Sequence, residues 1–440
     1  MKLKHDLLSF VFTALLASSL VAAEENPAFK KLKYGFFAHH GWGGKAYPLT
    51  KHPDLSVPKT IDEVGDGFDA EKFANDVAGF KVEYVVFTAW HADMNVMFPS
   101  QAMDKWRGPG HATKRDVIGE MVKAFKAKGI PVFLYIHTSD GHDMQPADQE
   151  RLGWNESTNV APADAWAPGK YVRWNNFMNE IFDEMGSRYA KDVVGYWIDG
   201  GWGRCDQERL KKTLWKHNPM AEFVSGMDCA DPVGAWVRYA PIAYSDVNTW
   251  PGWECQVGIL QGGLWWSTGG TAKLSPEHIV KYTILQAGIN TQGGGACWAA
   301  DPYTDMTWEP DVKEYLTMAG ALLEPIAESV KNTYASAAFP TPQGSKIVNL
   351  TNGIVATRST DGAFEYVHVL RPPAVGAFLK EHERVLKLPP PKDGSRFSDA
   401  VMLRSGRKAT LKQEEQGVTI RVPWQDTWHP IDTVIKLKRQ

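Results

Sequence analysis

Cysteine is scarce in this chain: 440 residues hold four, Cys205, Cys229, Cys255 and Cys297. They are too few and too widely spaced for a disulfide framework or a zinc motif, although one bridge, Cys205–Cys229, is compatible with an oxidising compartment. Basic runs are missing too, and a formal net charge of −3 gives no electrostatic case for nucleic acid. No H-E-x-x-H, paired Cys-x-x-Cys or G-x-S-x-G occurs, so nothing supports a zincin or a nucleophile-elbow hydrolase. Only the N-terminus carries a long apolar run. It reads "MKLKHDLLSFVFTALLASSLVAAEEN", with Lys2 and Lys4 before the run and Val21-Ala22-Ala23 after it. That is the pattern of a secretory signal peptide over residues 1–23. The expectation is a secreted or periplasmic protein that starts near Glu24 and is free of the membrane once cleaved.

Tryptophan, by contrast, is abundant, at eighteen residues. In an exported protein such a surplus suits flat platforms for sugar rings, although core packing also consumes indoles. From about residue 34 to 330, short apolar runs alternate with helical patterns. The clearest runs are "YGFFAHHG" (34–41), "EYVVFTAWH" (83–91), "PVFLYIHTSD" (131–140) and "VVGYWIDGG" (193–201), and weaker ones follow near 223–227, 243–248, 258–266 and 289–297. Asp69 opens one helical pattern, Gly129 closes another, and Ser275-Pro276 starts a third. About eight strand–helix repeats predict an α/β fold of the (β/α)8-barrel type over residues 24–335, with a doubly wound open sheet as the competitor. After residue 336 the texture becomes alternating, with an Asp361-Gly362 hairpin signal. Residues 336–440 therefore read as a C-terminal antiparallel β-sandwich domain.

Barrel chemistry collects where strands end. Four successive strand ends carry His39 and His40, then Trp90, His91 and Asp93, then His137, then Asp199. A metal held by His39, His91, Asp93 and Asp199 is the weaker reading, because "AHHG" lacks the His-x-His of barrel metallohydrolases. No metal and no organic cofactor is expected. A carboxylate ringed by histidines and indoles suits glycoside hydrolysis, in which one carboxylate attacks the anomeric carbon and another protonates the leaving oxygen.

At this point the motifs resemble a known family, the α-L-fucosidases of glycoside hydrolase family 29. "KYGFFAHHGWGG" resembles its first-strand F-x-x-H-W-G motif, and "EYVVFTAWHADMNVMFPSQ" its T-A-K-H-H-D-G-F motif with the following proline-serine pair. "YWIDGGWG" is similar to the nucleophile motif, and "PGWEC" (251–255) to a W-E-x-C segment. The "EPDVKEYLTMAGALLEPIAESVKNTYAS" and "NGIVATRSTDGAFEYVHV" stretches resemble the last barrel helix and the C-terminal β domain, so the likeness covers nearly all of the mature chain. It implies Asp199 as the nucleophile of a retaining mechanism and Glu254 as the acid/base, flanked by Trp253, with Asp228, Asp231 and Asp246 as other carriers of the second role. His39 and His91, and with them His40, His137 and the indole of Trp90, would contact the sugar of a glycan or oligosaccharide substrate. Departures bear on the sugar itself. Ala92 stands for the second histidine of the pair, Trp90 for the lysine before it, His40 for the tryptophan of His-Trp-Gly, and "GGGACWAADP" (293–302) for an asparagine-glycine-proline stretch. A hydrolase of the same fold for another glycan and a degenerate carbohydrate-binding protein stay open as alternatives.

Overall fold

The computed structural model describes residues 31–43, 49–138, 140–155, 169–199, 202–225, 255–258, 272, 274–289, 295–342, 345–374 and 379–440. The expected signal peptide and Glu254 lie outside these residues.

Among the described residues, seven parallel strands form the first sheet: β1 (Tyr34–Ala38), β2 (Tyr84–Trp90), β3 (Val132–His137), β4 (Gly195–Asp199), β5 (Glu222–Ser225), β6 (Cys255–Gly258) and β7 (Ala296–Ala299). Their order is β5-β4-β3-β2-β1-β7-β6. Consecutive strands lie side by side except β5 and β6, which stand at the two edges, and β7 returns to pair with β1. A doubly wound sheet reverses direction partway, and this one does not. Helices fill the connections: α1 (Ile61–Gly67) and α2 (Ala70–Gly79), then α3 (Gln101–Arg107) and α4 (Val117–Ala127), then α5 (Pro146–Leu152) and α6 (Val172–Tyr189), then α7 (Gln207–His217). Helix α8 (Pro276–Ile289) precedes β7, and α9 (Val312–Leu323) follows it. The expected punctuation is in place. Asp69 accepts from the Lys72 amide as N-cap of α2, Ser275 accepts from the His278 amide, and Gly129 sits at φ 68° just past α4.

Both faces of the sheet are buried, in different ways. Phe36, Phe87, Leu134, Ile136, Tyr196, Ile198 and Trp298 face the helices. Phe37, Tyr84, Val86, Phe133, Tyr135, Trp197, Cys297 and Ala299 pack among themselves, and of the described residues only Leu49 joins them in that buried cluster from outside the strands. The Phe37 and Trp197 rings are 5.8 Å apart although their strands are three places apart. In a flat sheet that separation is about 14 Å. The sheet is therefore strongly curled around this second core. Gly35 permits the curl, since a Cβ there would lie 2.2 Å from the Tyr84 ring.

The C-terminal region holds two antiparallel sheets. β8 (Thr333–Ala335), β9 (Ile354–Ser359), β10 (Phe364–Val369), β12 (Phe397–Met402) and β15 (Thr433–Arg439) pair in the order β12-β15-β10-β9-β8. β11 (Val385–Leu388), β14 (Gly417–Arg421) and β13 (Thr410–Glu414) make the other sheet, and Val367, Leu386, Ile420, Trp428 and Leu437 share the core of this region. Asp361-Gly362 turns β9 into β10, with Gly362 at φ 72°. Because β8 starts at Thr333, this region begins slightly before the expected residue 336. Cys205 is a free, buried thiol whose pKa burial pushes up to about 12, and Cys229, the other half of the bridge considered above, lies outside the described residues.

Candidate active site

Strands β3 and β4 pair in register, Tyr135 beside Trp197 and His137 beside Asp199. Side chains two residues apart on a strand share a face, so all four point to the curled interior or its rim. The Tyr135 hydroxyl donates to Asp199 Oδ2 at 2.5 Å, and His137 Nε2 lies 3.6 Å from the same oxygen. Asp199 keeps 29% of its side-chain surface, so a ligand can reach it. Below, the Tyr135 and Trp197 rings stack at 5.4 Å.

Histidines form the wall. His91, at the end of β2, stacks on Tyr135 at 5.3 Å with 12° between the planes, and lies 5.5 Å from the His137 ring. His39 meets Tyr135 and His91 edge-on at 5.1 and 5.2 Å. Burial lowers the pKa of His137, and the nearby Asp199 carboxylate opposes that shift only in part. A neutral imidazole near pH 7 follows. The arrangement thus presents a partly exposed carboxylate, one oxygen held by a phenol, to whatever enters between His39, His91 and His137.

Four of the expected groups meet here: His39, His91, His137 and Asp199. Two do not. His40 points away from these rings, against Phe68 and Phe87 at 5.1 and 6.0 Å. It is fully buried, with Nδ1 3.1 Å from Asp301 Oδ1, while Thr50 Oγ1 donates to Asp301 Oδ2 at 2.7 Å. His40 braces the loops after β1 and β7 and offers no atom to a substrate. Trp90 is likewise fully buried, its indole against Phe182 of α6 at 5.8 Å and its Nε1–H donating to the His137 carbonyl at 3.0 Å. A register shift between Thr88 and Trp90 turns it to the helix layer. It is not a sugar platform. Tyr135 was not foreseen, although its place two residues before His137 on one strand carries the signal. Glu254, Trp253, Gly200 and Gly201, with Asp228, Asp231 and Asp246, fall outside the described residues.

Residues 63–232 match the family model described as Alpha-L-fucosidase. A Caenorhabditis elegans protein, provisionally named an alpha-L-fucosidase, is 24% identical over 227 residues, which are 46% of this chain and 41% of that protein. The chain thus spans about two fifths of the length of this curated relative. Among solved structures, it is similar to the Bacteroides thetaiotaomicron alpha-L-fucosidase captured as a covalent intermediate in complex with 2-fluoro-fucosyl fluoride. Identity there is 18%, with 95% of this chain and 96% of the other covered and a TM-score of 0.64. It is also similar to the Thermotoga maritima alpha-fucosidase in complex with a mechanism-based inhibitor, at 16% identity, 93% and 96% coverage and a TM-score of 0.62. At such identities these structures establish a shared fold, which extends along almost the whole chain.

Proposed function

We propose that this chain, a divergent relative of the α-L-fucosidases of glycoside hydrolase family 29, cleaves a terminal α-L-fucose, or a substituted or related deoxy-sugar, from glycans with retention of configuration. One observation carries the reading: Asp199 stands at the end of β4, partly exposed, with one oxygen held by Tyr135 and imidazoles around it. In this mechanism the Asp199 carboxylate attacks the anomeric carbon while Glu254 gives its proton to the departing oxygen. A glycosyl ester and a free alcohol result. Water then attacks the anomeric carbon of that ester and displaces the Asp199 carboxylate, Glu254 takes the water's proton, and the sugar leaves with its original configuration. The anomeric centre gains positive charge in both transition states. A neutral His137 adds no repulsion there, whereas a protonated one would.

The same proposal takes the curled sheet to close into a barrel between β5 and β6, and takes residues 1–23 to direct export. The test is incubation with a 2-fluoro-α-L-fucosyl donor carrying a good leaving group, followed by peptide mass analysis. Mass equal to one fluorosugar on the peptide containing Asp199, absent in Asp199→Ala, is expected. Reversible binding without label would identify a carbohydrate-binding protein instead.

A further inference from the structure

The turn that follows His91 has a costly shape. Asp93 and Met94 both have positive φ, 59° and 49°, and neither is glycine. Met94 stands where the T-A-K-H-H-D-G-F pattern has its glycine, and it is fully buried. Each such residue is strained, and such a conformation persists only where its surroundings over-determine it.

Arg107, at the end of α3, supplies the surroundings. Its guanidinium has no exposed surface, and all five of its N–H donors are used. Nη1 donates to the Asp93 and Met94 carbonyls at 2.5 and 3.4 Å, and Nη2 to Asp93 Oδ1 at 3.2 Å. Nε and Nη2 both donate to Asp148 Oδ2, at 3.1 and 2.9 Å. Asp148 belongs to α5, in the connection that follows β3 and His137. Asn95 extends the network. Its Nδ2 donates to Asp93 Oδ2 at 3.0 Å and to the Trp42 carbonyl, beyond β1, at 3.1 Å. Its Oδ1 lies 2.9 Å from His111 Nδ1. Arg107 thus joins the connections after β2 and β3, Asn95 ties in the one after β1, and the Met94 amide returns to the His91 carbonyl at 2.8 Å.

We infer that Arg107 is a positioning residue of the proposed active site: with Asp93, Asn95 and Asp148 it clasps the strained turn and thereby sets His91 relative to Asp199. This inference rests on the glycosidase reading for its kinetic consequence, but not for its structural one. An ordinary buried ion pair needs neither bonds to two consecutive carbonyls nor a strained turn beneath them. Lysine carries the same charge but lacks the planar fork.

Two measurements on the full chain decide it. In Arg107→Lys, hydrogen exchange of the amides of residues 92–97 should rise at least about tenfold while that of α4 stays at the wild-type level. Asp148→Asn, which preserves side-chain size, should give the same pattern if the lysine variant does not fold. Unchanged protection of residues 92–97 would overturn the clasp whether or not the protein is a glycosidase. For function, Arg107→Lys, His91→Ala and the double variant are compared by the rate of fluorosugar labelling. The clasp requires coupling: once Arg107 is replaced, removing His91 should cost far less than it does alone. Independent, additive losses would show that Arg107 does not act through His91. A wild type that is never labelled would fell the glycosidase reading, while the exchange result would still stand.

Discussion

The Tyr135 hydroxyl donates to Asp199 Oδ2 at 2.5 Å, so a phenol holds the carboxylate that is proposed to attack the sugar. A hydrogen bond to a charged group is worth about 1.5–3 kcal/mol. Tyr135 also carries the His91 stack, so the phenol fixes both Asp199 and one wall of the site. Tyr135→Phe keeps the ring and removes only the donor. Turnover of an activated aryl fucoside should then fall about ten- to hundredfold, with a smaller change in KM. An unchanged kcat would mean that the hydroxyl serves only to pack the interior.

The depressed pKa of His137 makes a statement about pH. Burial disfavours its cation, so between the folded value and the ordinary 6.5 the unfolded chain binds more protons than the folded one. Stability contributed by neutral His137 is therefore complete above pH 6.5 and is lost as pH falls through that window. His111, His278 and His429 are lowered by burial as well and act in the same direction. Glu83, whose pKa burial raises to about 7, acts in the opposite direction, so the readout is the difference between variants: the unfolding midpoint of His137→Asn should lose less than that of the wild type between pH 7.5 and pH 5.5. The acid limb of the rate profile should move with it, because protonation places a cation beside Asp199 and the developing sugar cation. A midpoint with equal pH dependence in wild type and His137→Asn would refute the assignment.

Much of this was legible in the sequence because it depends on local rules. Asp69, Ser275 and Gly129 cap or end helices through contacts within a turn of themselves, and β1 to β4 are apolar runs bounded by polar ends. The later strands were harder to place. β6 and β7 are four residues each, and "ACWA" carries little periodicity. Within the site the difficulty was direction. His39 and His40 are neighbours with opposite destinies, and which one faces inward depends on register with adjacent strands. Trp90 was harder still, because the register shift that turns it outward leaves no mark in composition. Arg107 could not be read at all, since its acceptors are mostly backbone carbonyls and a carboxylate forty-one residues away.

The buried indole leads to its own test. Trp90→Phe removes the donor to the His137 carbonyl and some packing against α6, so the expected effect is on stability, about 1–3 kcal/mol. Denaturant unfolding followed by circular dichroism measures it. KM for aryl glycosides should stay within about twofold, because the indole does not face the sugar. A tenfold rise in KM at unchanged stability would restore Trp90 as a platform.

Ala92 carries the question of which sugar fits. The family pattern has a histidine here, directly after the residue that stacks on Tyr135, and alanine supplies a methyl in place of an imidazole. A hydrogen bond from such a histidine to a hydroxyl in a dry pocket is worth about 0.5–1.5 kcal/mol. The neighbouring changes do not compensate, since both His40 and Trp90 are buried away from the site. Yet Asp199, Tyr135, His39, His91 and His137 still converge, which argues for an altered substrate rather than decay of the site. Simple aryl α-L-fucosides should therefore be poor substrates, and a sugar bearing a substituent or branch toward position 92 should be a better one. Ala92→His should raise kcat/KM for the simple fucoside about two- to tenfold and lower it for the substituted sugar. If the wild type cleaves unsubstituted aryl fucoside with kcat/KM of about 10⁴ M⁻¹s⁻¹ or more, the range of an ordinary enzyme, the substituent idea fails and plain fucose is the substrate.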